Sequence, residues 1–177
     1  MLTVVSDTHS TDSHRLTGRT LQAVRDADVV AHAGDFMRES VLDDFEREAS
    51  RFLGVTGNND DAGIRSRLPE ARNFAFGGLT FAMTHRRPGG PTALPFFGRQ
   101  RGADVVVFGH SHRPTYETTD DVVLLNPGSH AQPRGNRAAH AELEARDEGG
   151  VEGRLVTVEG DVFETFTVAP RDGSADG

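Results

Sequence analysis

The sequence predicts an α/β protein built on parallel strands whose carboxyl-terminal ends face a common site. Three observations carry that expectation. Residues 2 to 56 alternate between short apolar runs and amphipathic stretches, as strand, helix, strand, helix, strand, which implies parallel pairing with helices on the faces. Each apolar run then closes on Asp, His or Asn, at the strand edge where ligands of such sheets gather. Finally, Val105 to Phe108 ends on Gly109-His110-Ser111-His112. Extended alternation sends residues two apart to one face, so these two imidazoles can serve one site or two adjoining metal ions.

Taken in order, residues 2 to 6, Leu-Thr-Val-Val-Ser, read as the first strand, followed by Asp7-Thr8-His9. A carboxylate and an imidazole two residues apart can chelate one metal, although Asp7 alone could equally cap a turn. Residues 14 to 26 place Leu21 and Val24 at helical spacing with Arg and Asp opposite, an amphipathic helix covering the sheet. Residues 28 to 32, Asp-Val-Val-Ala-His, make the second strand, and Ala33-Gly34-Asp35 brings a carboxylate to its edge. His32, inside that strand, is expected to pack or to support a ligand rather than to bind metal itself. Residues 39 to 50 form a second amphipathic helix on Val41, Leu42, Phe45 and Ala49, and Phe52 to Thr56 a third strand ending in Gly57-Asn58-Asn59-Asp60. Asn73 to Phe76 and Leu79 to Thr84 flank Gly77-Gly78 as a hairpin whose second arm ends on His85. A short helix is expected within 91 to 101, ahead of the Val105 strand. Val122 to Leu125 closes on Asn126-Pro127-Gly128-Ser129, a turn expected to support the histidine pair, with Pro133-Arg134 beyond. From 139 the pattern becomes alternating strand, over 139 to 145, 153 to 158 and 162 to 168, with glycine turns at 149–150 and 160. Residues 1–168 are expected to form a single domain and 169–177 a flexible tail.

Composition narrows the chemistry. A chain of 177 residues suits one domain. With no cysteine, a metal must be held by His, Asp, Glu, Asn or main-chain oxygen. No run approaches the ~20 apolar residues of a membrane span, and the start carries no basic targeting region, so a cytoplasmic protein without membrane contact is expected. The net charge is −8, and all 19 basic residues are arginine. That acidity disfavours general nucleic-acid binding and requires a local positive centre for any anionic substrate. A GC-rich genome or life in concentrated salt would each account for the absence of lysine.

Asp7, His9, Asp35, Asn58, His85, His110 and His112 each stand just past an apolar run, so one sheet would deliver them to one edge. Oxygen donors mixed with imidazole suit Mn, Fe, Zn, Co or Ni better than Mg or Ca, and the ligands are too many for one tetrahedral ion. Two ions sharing a carboxylate is the natural count.

These residues resemble the signature of the calcineurin-like metallophosphoesterases: D-x-H at Asp7/His9, G-D at Gly34-Asp35, G-N at Gly57-Asn58, the isolated His85, and G-H-x-H at 109 to 112. Asn126-Pro127-Gly128-Ser129 and Pro133-Arg134 resemble the compact branch, which includes small prokaryotic phosphodiesterases and the retromer scaffold subunit. The resemblance spans residues 2 to 135. It implies a four-layer α/β/β/α metallophosphoesterase sandwich with two divalent ions, manganese favoured and Ni, Zn, Fe or Co possible. It assigns Asp7, His9, Asp35 and His112 to one ion and Asp35, Asn58, His85 and His110 to the other, Asp35 bridging. The implied reaction is hydrolysis of a small phosphate ester, a diester ahead of a monoester, by a hydroxide shared between ions ~3.5–4 Å apart, with no covalent phosphoenzyme. Asp35 and His85 thereby join the catalytic set. A homodimer or homotetramer is implied as possible, and a non-catalytic scaffold acting through protein contacts is the alternative.

Two positions depart from the family pattern. Asn59 stands where larger members have a histidine; an amide can hydrogen-bond to a phosphoryl group but is no general acid near pH 7, so the proton donor is unassigned. Arg86, followed by Arg87, replaces a common glycine; the pair either serves a substrate phosphate or is an exposed basic pair, and the second is the expectation. Asp60 supports the metal site or caps a helix over 61 to 67, the cap being preferred. Arg134 anchors an ion pair or contacts phosphate. His14 is expected at the surface, His130 and His140 without a role, and Phe96 and Phe97 in a core.

Overall fold

The computed structural model describes residues 1–170; of the expected tail, 171–177 lie outside the described residues. The chain opens with β1 (Leu2–Val5), α1 (Gly18–Asp26), β2 (Val29–His32), α2 (Glu39–Glu48), β3 (Phe52–Gly54) and α3 (Ala62–Arg67), and the three strands pair in parallel as the alternation predicts. The antiparallel hairpin β4 (Ala71–Phe76) and β5 (Leu79–Thr84) then turns on Gly77 and Gly78, at φ 59° and 76°. Two consecutive positive φ values are what a tight hairpin turn demands, and glycine adopts them without steric cost. A short 3-10 turn (Gly90–Ala93) and α4 (Leu94–Gln100) lead to β6 (Val105–Val107), β7 (Thr115–Thr118) and β8 (Val123–Asn126). β5, β6 and β8 run parallel, and β7 lies antiparallel on β8. Last comes the antiparallel meander β9 (Ala139–Ala145), β10 (Val151–Thr157) and β11 (Val162–Val168), which returns to pair β9 with β1.

Two sheets result, ordered β11-β10-β9-β1-β2-β3 and β4-β5-β6-β8-β7. Strand alternation explains how they stack. Leu2, Val4, Val29 and Ala31 of one sheet meet Phe81, Met83, Val105, Val107 and Leu125 of the other in a central core. Residues of opposite parity face outward: Val30 meets Val24, Val41, Leu42, Phe45 and Ile64 of α1 to α3, while Ala82, Val106 and Leu124 meet Leu94 and Phe97 of α4. The order is therefore helix, sheet, sheet, helix, the four-layer α/β/β/α sandwich that the family resemblance implies. Phe45 is fully buried and contributes roughly 2–3 kcal/mol by leaving water.

The structure corrects several expectations. Not one sheet edge but two carry the predicted site residues, because the β4–β5 hairpin ends the first parallel run and starts a facing sheet. The first helix begins at Gly18, not at 14: Gly18 has φ 54° and Arg19 N–H donates to the Val158 carbonyl, which fixes the entry. β7 was not foreseen, since Thr-Tyr-Glu-Thr carries no alternating apolar pattern. Phe97 is core, but Phe96 is 55% exposed beside Arg99.

Candidate metal centre

The predicted ligands converge where the carboxyl-terminal ends of the parallel strands of both sheets meet. Asp7 and His9 follow β1, Asp35 follows β2, Asn58 follows β3, His85 follows β5, and His110 and His112 follow β6. The loops are laced together: Asp7 and His9 N–H donate to the carbonyls of Gly34 and Asp35, Gly109 N–H to that of His85, and His110 N–H to the Asp7 carboxylate at 3.0 and 3.2 Å. Five of the seven residues, Asp7, His9, Asp35, His110 and His112, hold positive φ between 43° and 71°. Left-handed backbone at a non-glycine residue costs about 1–3 kcal/mol and persists only where the surroundings impose it. Glycines permit the close approach. A Cβ on Gly57 would stand 2.1 Å from Asp35 Oδ1, and one on Gly109 2.1 Å from Ser6 Oγ and 2.7 Å from Asp7 Oδ2.

Two groups of ligand atoms form, Asp7 with His9 and His112, and Asp7 with Asp35 and His85, each set lying within 4.8 Å. His9 Nε2 and His112 Nε2 are 3.2 Å apart, and His112 Nε2 is 3.2 Å from Asp7 Oδ1. Asp35 Oδ2 lies 3.5 Å from His9 Nε2 and 3.3 Å from His85 Nε2, between histidines of both groups. His110 stands at the rim, exposed, its ring edge-on to His85 at 5.4 Å between centroids. Neighbouring carbonyls set two imidazoles: His85 Nδ1–H donates to the Ala33 carbonyl at 2.8 Å, and His112 Nδ1–H to that of Gln132. Both Nε2 lone pairs then face the cluster.

The electrostatics call for cations. Burial alone would raise the Asp7 carboxyl, but the histidines at 112, 9 and 85 and the Ser6 hydroxyl hold it well below the usual carboxylate range. Burial opposes ionisation of Asp35 too, yet His85 and the Asn59 donors bring it down to about 2. Burial works against a charge on His85, and the Asp35 and Asp7 carboxylates beside it raise its pKa regardless. His85 Nε2 and Asn58 Oδ1 are buried and make no hydrogen bond. A proton or a metal cation between His85 Nε2 and the carboxylate oxygens beside it satisfies both, and the raised pKa of His85 shows the pull of those carboxylates on positive charge. The donor set of imidazole, carboxylate and amide oxygen fits a divalent transition ion.

The supporting residues were partly legible. His32 is buried as expected, accepting from Gly34 N–H at 3.1 Å through Nδ1 and facing Thr8 Oγ1 at 3.2 Å, and stacked on Phe36; burial holds it neutral. The Asn126 turn supports the histidine pair: its amide donates to the Gly109 carbonyl and Ser111 Oγ, and Ser129 Oγ donates to the Asp7 carbonyl. Asp60 overturns its expectation. Asp61 is the cap of α3, accepting from Ile64 N–H at 3.0 Å. Asp60 is buried and accepts from Gly57 N–H at 2.7 Å, Met37 N–H at 2.8 Å and Asp35 N–H at 3.3 Å, tying two ligand loops together. The adjacent pair of aspartates concealed which one did which. Asn59 grips Asp35, with its amide 2.7 Å from Oδ2 and its N–H 2.8 Å from Oδ1. His14 is turned away from the cluster toward α2, and His140 belongs to a buried network with Glu142. Arg86 and Arg87, expected as a mere surface pair, line a cleft of about 920 Å³ that opens beside Asn58 and His85.

Residues 1–148 match the calcineurin-like phosphoesterase superfamily domain. A probable metallophosphoesterase of Methanothermobacter thermautotrophicus is 37% identical over 76% of this chain and 79% of its own. A phosphodiesterase of Methanocaldococcus jannaschii is 28% identical over 71% of this chain and 81% of its own. Among solved structures, wild-type Vps29 complexed with zinc from Entamoeba histolytica superposes with a TM-score of 0.76 at 21% identity, over 94% of this chain and 98% of that one.

Proposed function

Because the chain belongs to the calcineurin-like phosphoesterase superfamily, and so to the metal-dependent phosphoesterases, we propose that it hydrolyses phosphodiesters in preference to monoesters with two divalent ions, residues 1–168 acting as one domain. The observation that carries the reading is the convergence of the predicted ligands, with His85 Nε2 buried and unpartnered beside two low-pKa carboxylates and Asn58 Oδ1 likewise buried without a partner. Asp7, His9, Asp35 and His112 would hold one ion, and Asp35, Asn58, His85 and His110 the other. Bound there, divalent ions supply Lewis-acid charge for the phosphoryl oxygens and lower the pKa of water. The chain's own groups do the positioning. Asn59 fixes both Asp35 oxygens, Asp60 fixes the main chain on either side, and the Ala33 and Gln132 carbonyls hold His85 and His112 in the tautomer that presents Nε2. Asn59 is read as positioning Asp35, to which its side-chain amide and main-chain N–H both donate. Manganese is favoured; a fold shared with a zinc-bound Vps29 supports zinc as well.

The test is hydrolysis of bis(p-nitrophenyl) phosphate and p-nitrophenyl phosphate by metal-stripped protein, repeated with Mn, Ni, Zn, Co and Mg. Metal-dependent turnover, faster on the diester and lost in Asp35→Asn, is expected. Bound metal without turnover on either ester would favour the scaffold reading, which the likeness in fold to Vps29 keeps in view.

A further inference from the structure

The cleft beside Asn58 and His85 is larger than a phosphoryl group needs, and its outer wall is basic. At about 920 Å³ it has the size of a site for a whole small molecule. Arg65, Arg86 and Arg87 line it against one carboxylate, Glu70. In a chain of net charge −8, such a local excess of positive charge is a field that selects anions.

Each arginine is free to bind one. Arg65 is anchored by Nε to the Asp60 carbonyl at 2.9 Å and by Nη2 to the Asn58 carbonyl at 3.0 Å. Two of its five N–H groups are used, and the fork stays fixed at the loop that carries Asn58. The Arg87 guanidinium lies over the Phe97 ring at 4.9 Å from its centroid, a contact that consumes no donor. Arg86 follows His85 directly, is exposed, and lines the cleft together with His85 and Asn58. No carboxylate pairs with any of the three among the described residues.

We propose that this cleft seats a second phosphate of the substrate, so that the preferred ester is a phosphodiester carrying a further phosphate group on the arm that extends past His85. The inference rests on the phosphoesterase reading and goes beyond it to the substrate class. Metal charge and the histidine cluster account for the scissile group; the arginines are left for another anion, and their forked donors match phosphate bidentately.

Two arms test it. In the first, metal-loaded protein hydrolyses thymidine 5′-(p-nitrophenyl phosphate) and the same ester bearing a 3′-phosphate. A preference of about tenfold or more in kcat/KM for the phosphorylated ester is expected, falling to about twofold or less in the Arg86→Ala/Arg87→Ala variant. In the second, calorimetry on protein loaded with Mn compares thymidine 3′,5′-bisphosphate with thymidine 5′-monophosphate, neither of which contains a diester bond. Tighter binding of the bisphosphate, lost in the double variant and weakened in Arg86→Ala alone, supports the site. Equal binding of the two ligands, or a preference that survives the double variant, overturns it. If neither ester is hydrolysed, the phosphoesterase reading fails and calorimetry still decides whether the cleft binds the second phosphate.

Discussion

At the scale of single residues, the candidate centre depends on groups that touch no metal, and Asp60 is the clearest case. Its two oxygens accept from Gly57, Asp35 and Met37, so one buried carboxylate sets the backbone that aims both Asp35 and Asn58. Burial, with the Asp35 charge nearby, raises its pKa against the pull of those N–H donors. Asp60→Asn would turn an amide donor toward main-chain donors and leave one or more of them unpaired. Metal affinity should fall about 10–100-fold, the range for loss of a group that orients a ligand, while the seven ligands are all retained. Competition with a chromogenic chelator checks it; unchanged affinity would show that the two loops hold their geometry without Asp60. Gly57→Ala should act more severely. Its Cβ would meet the Asp35 carboxylate at 2.1 Å, so Asp35 must move, and ion binding should be lost outright in the same assay. The cluster of candidate ligands was legible in the sequence because each one ends an apolar run. Asp60 was not, because adjacent aspartates before a helix look alike until their hydrogen bonds are known.

At the scale of elements, the fold was legible wherever one face is buried. Period-3.6 spacing gave α1 and α2, continuous apolar runs gave the central strands, and Gly77-Gly78 gave the hairpin. β7 escaped because its residues are half-buried or exposed and polar; it forms because β8 offers an edge to pair with. The polar network of β9 escaped for a similar reason. Glu142 lies on the strand face that meets α1, only 1% exposed, and binds Arg19 of α1, Arg154 of β10 and His140 of its own strand. Burial disfavours the Glu142 charge, yet His140 and the two arginines hold its pKa well below the ordinary value. A depressed carboxyl stabilises the fold above its unfolded pKa of about 4.3, and that stability is lost as pH falls toward the folded value. Glu142→Gln should therefore cost roughly 2–3 kcal/mol at pH 7, below the 3–5 of a fully buried pair because both arginines reach solvent. The gap between variant and wild type should narrow steadily below pH about 4. Urea midpoints at pH 7 and pH 3 would measure it, and a gap of the same size at both would mean that packing, not charge, accounts for the loss.

At the scale of the whole molecule, the centre is a junction between layers. Asp7, His9, Asp35 and Asn58 come from loops of the six-stranded sheet, and His85, His110 and His112 from loops of the five-stranded one. The sequence could show that strands end on ligands, but not that the strands belong to two sheets, because that partition depends on where the β4–β5 hairpin closes and which edge it leaves. Five strained residues and two buried like charges are held at this junction by the packing behind it. Ions bound there act on the native state alone, since the unfolded chain scatters the ligands over a hundred residues. Each site filled to 100 times its dissociation constant should add about 2.7 kcal/mol, which for a chain of this size raises Tm by about 5–11 °C. Thermal melts of metal-stripped protein titrated with Mn or Zn should show this rise, increasing with ion concentration. Asp35→Asn should abolish most of it, because Asp35 Oδ2 stands between the histidines of both groups. A rise that persists in that variant would mean that the ions bind elsewhere, and a rise of the same size with sodium chloride alone would mean that screening of the net −8 charge, rather than ligation, stabilises the fold.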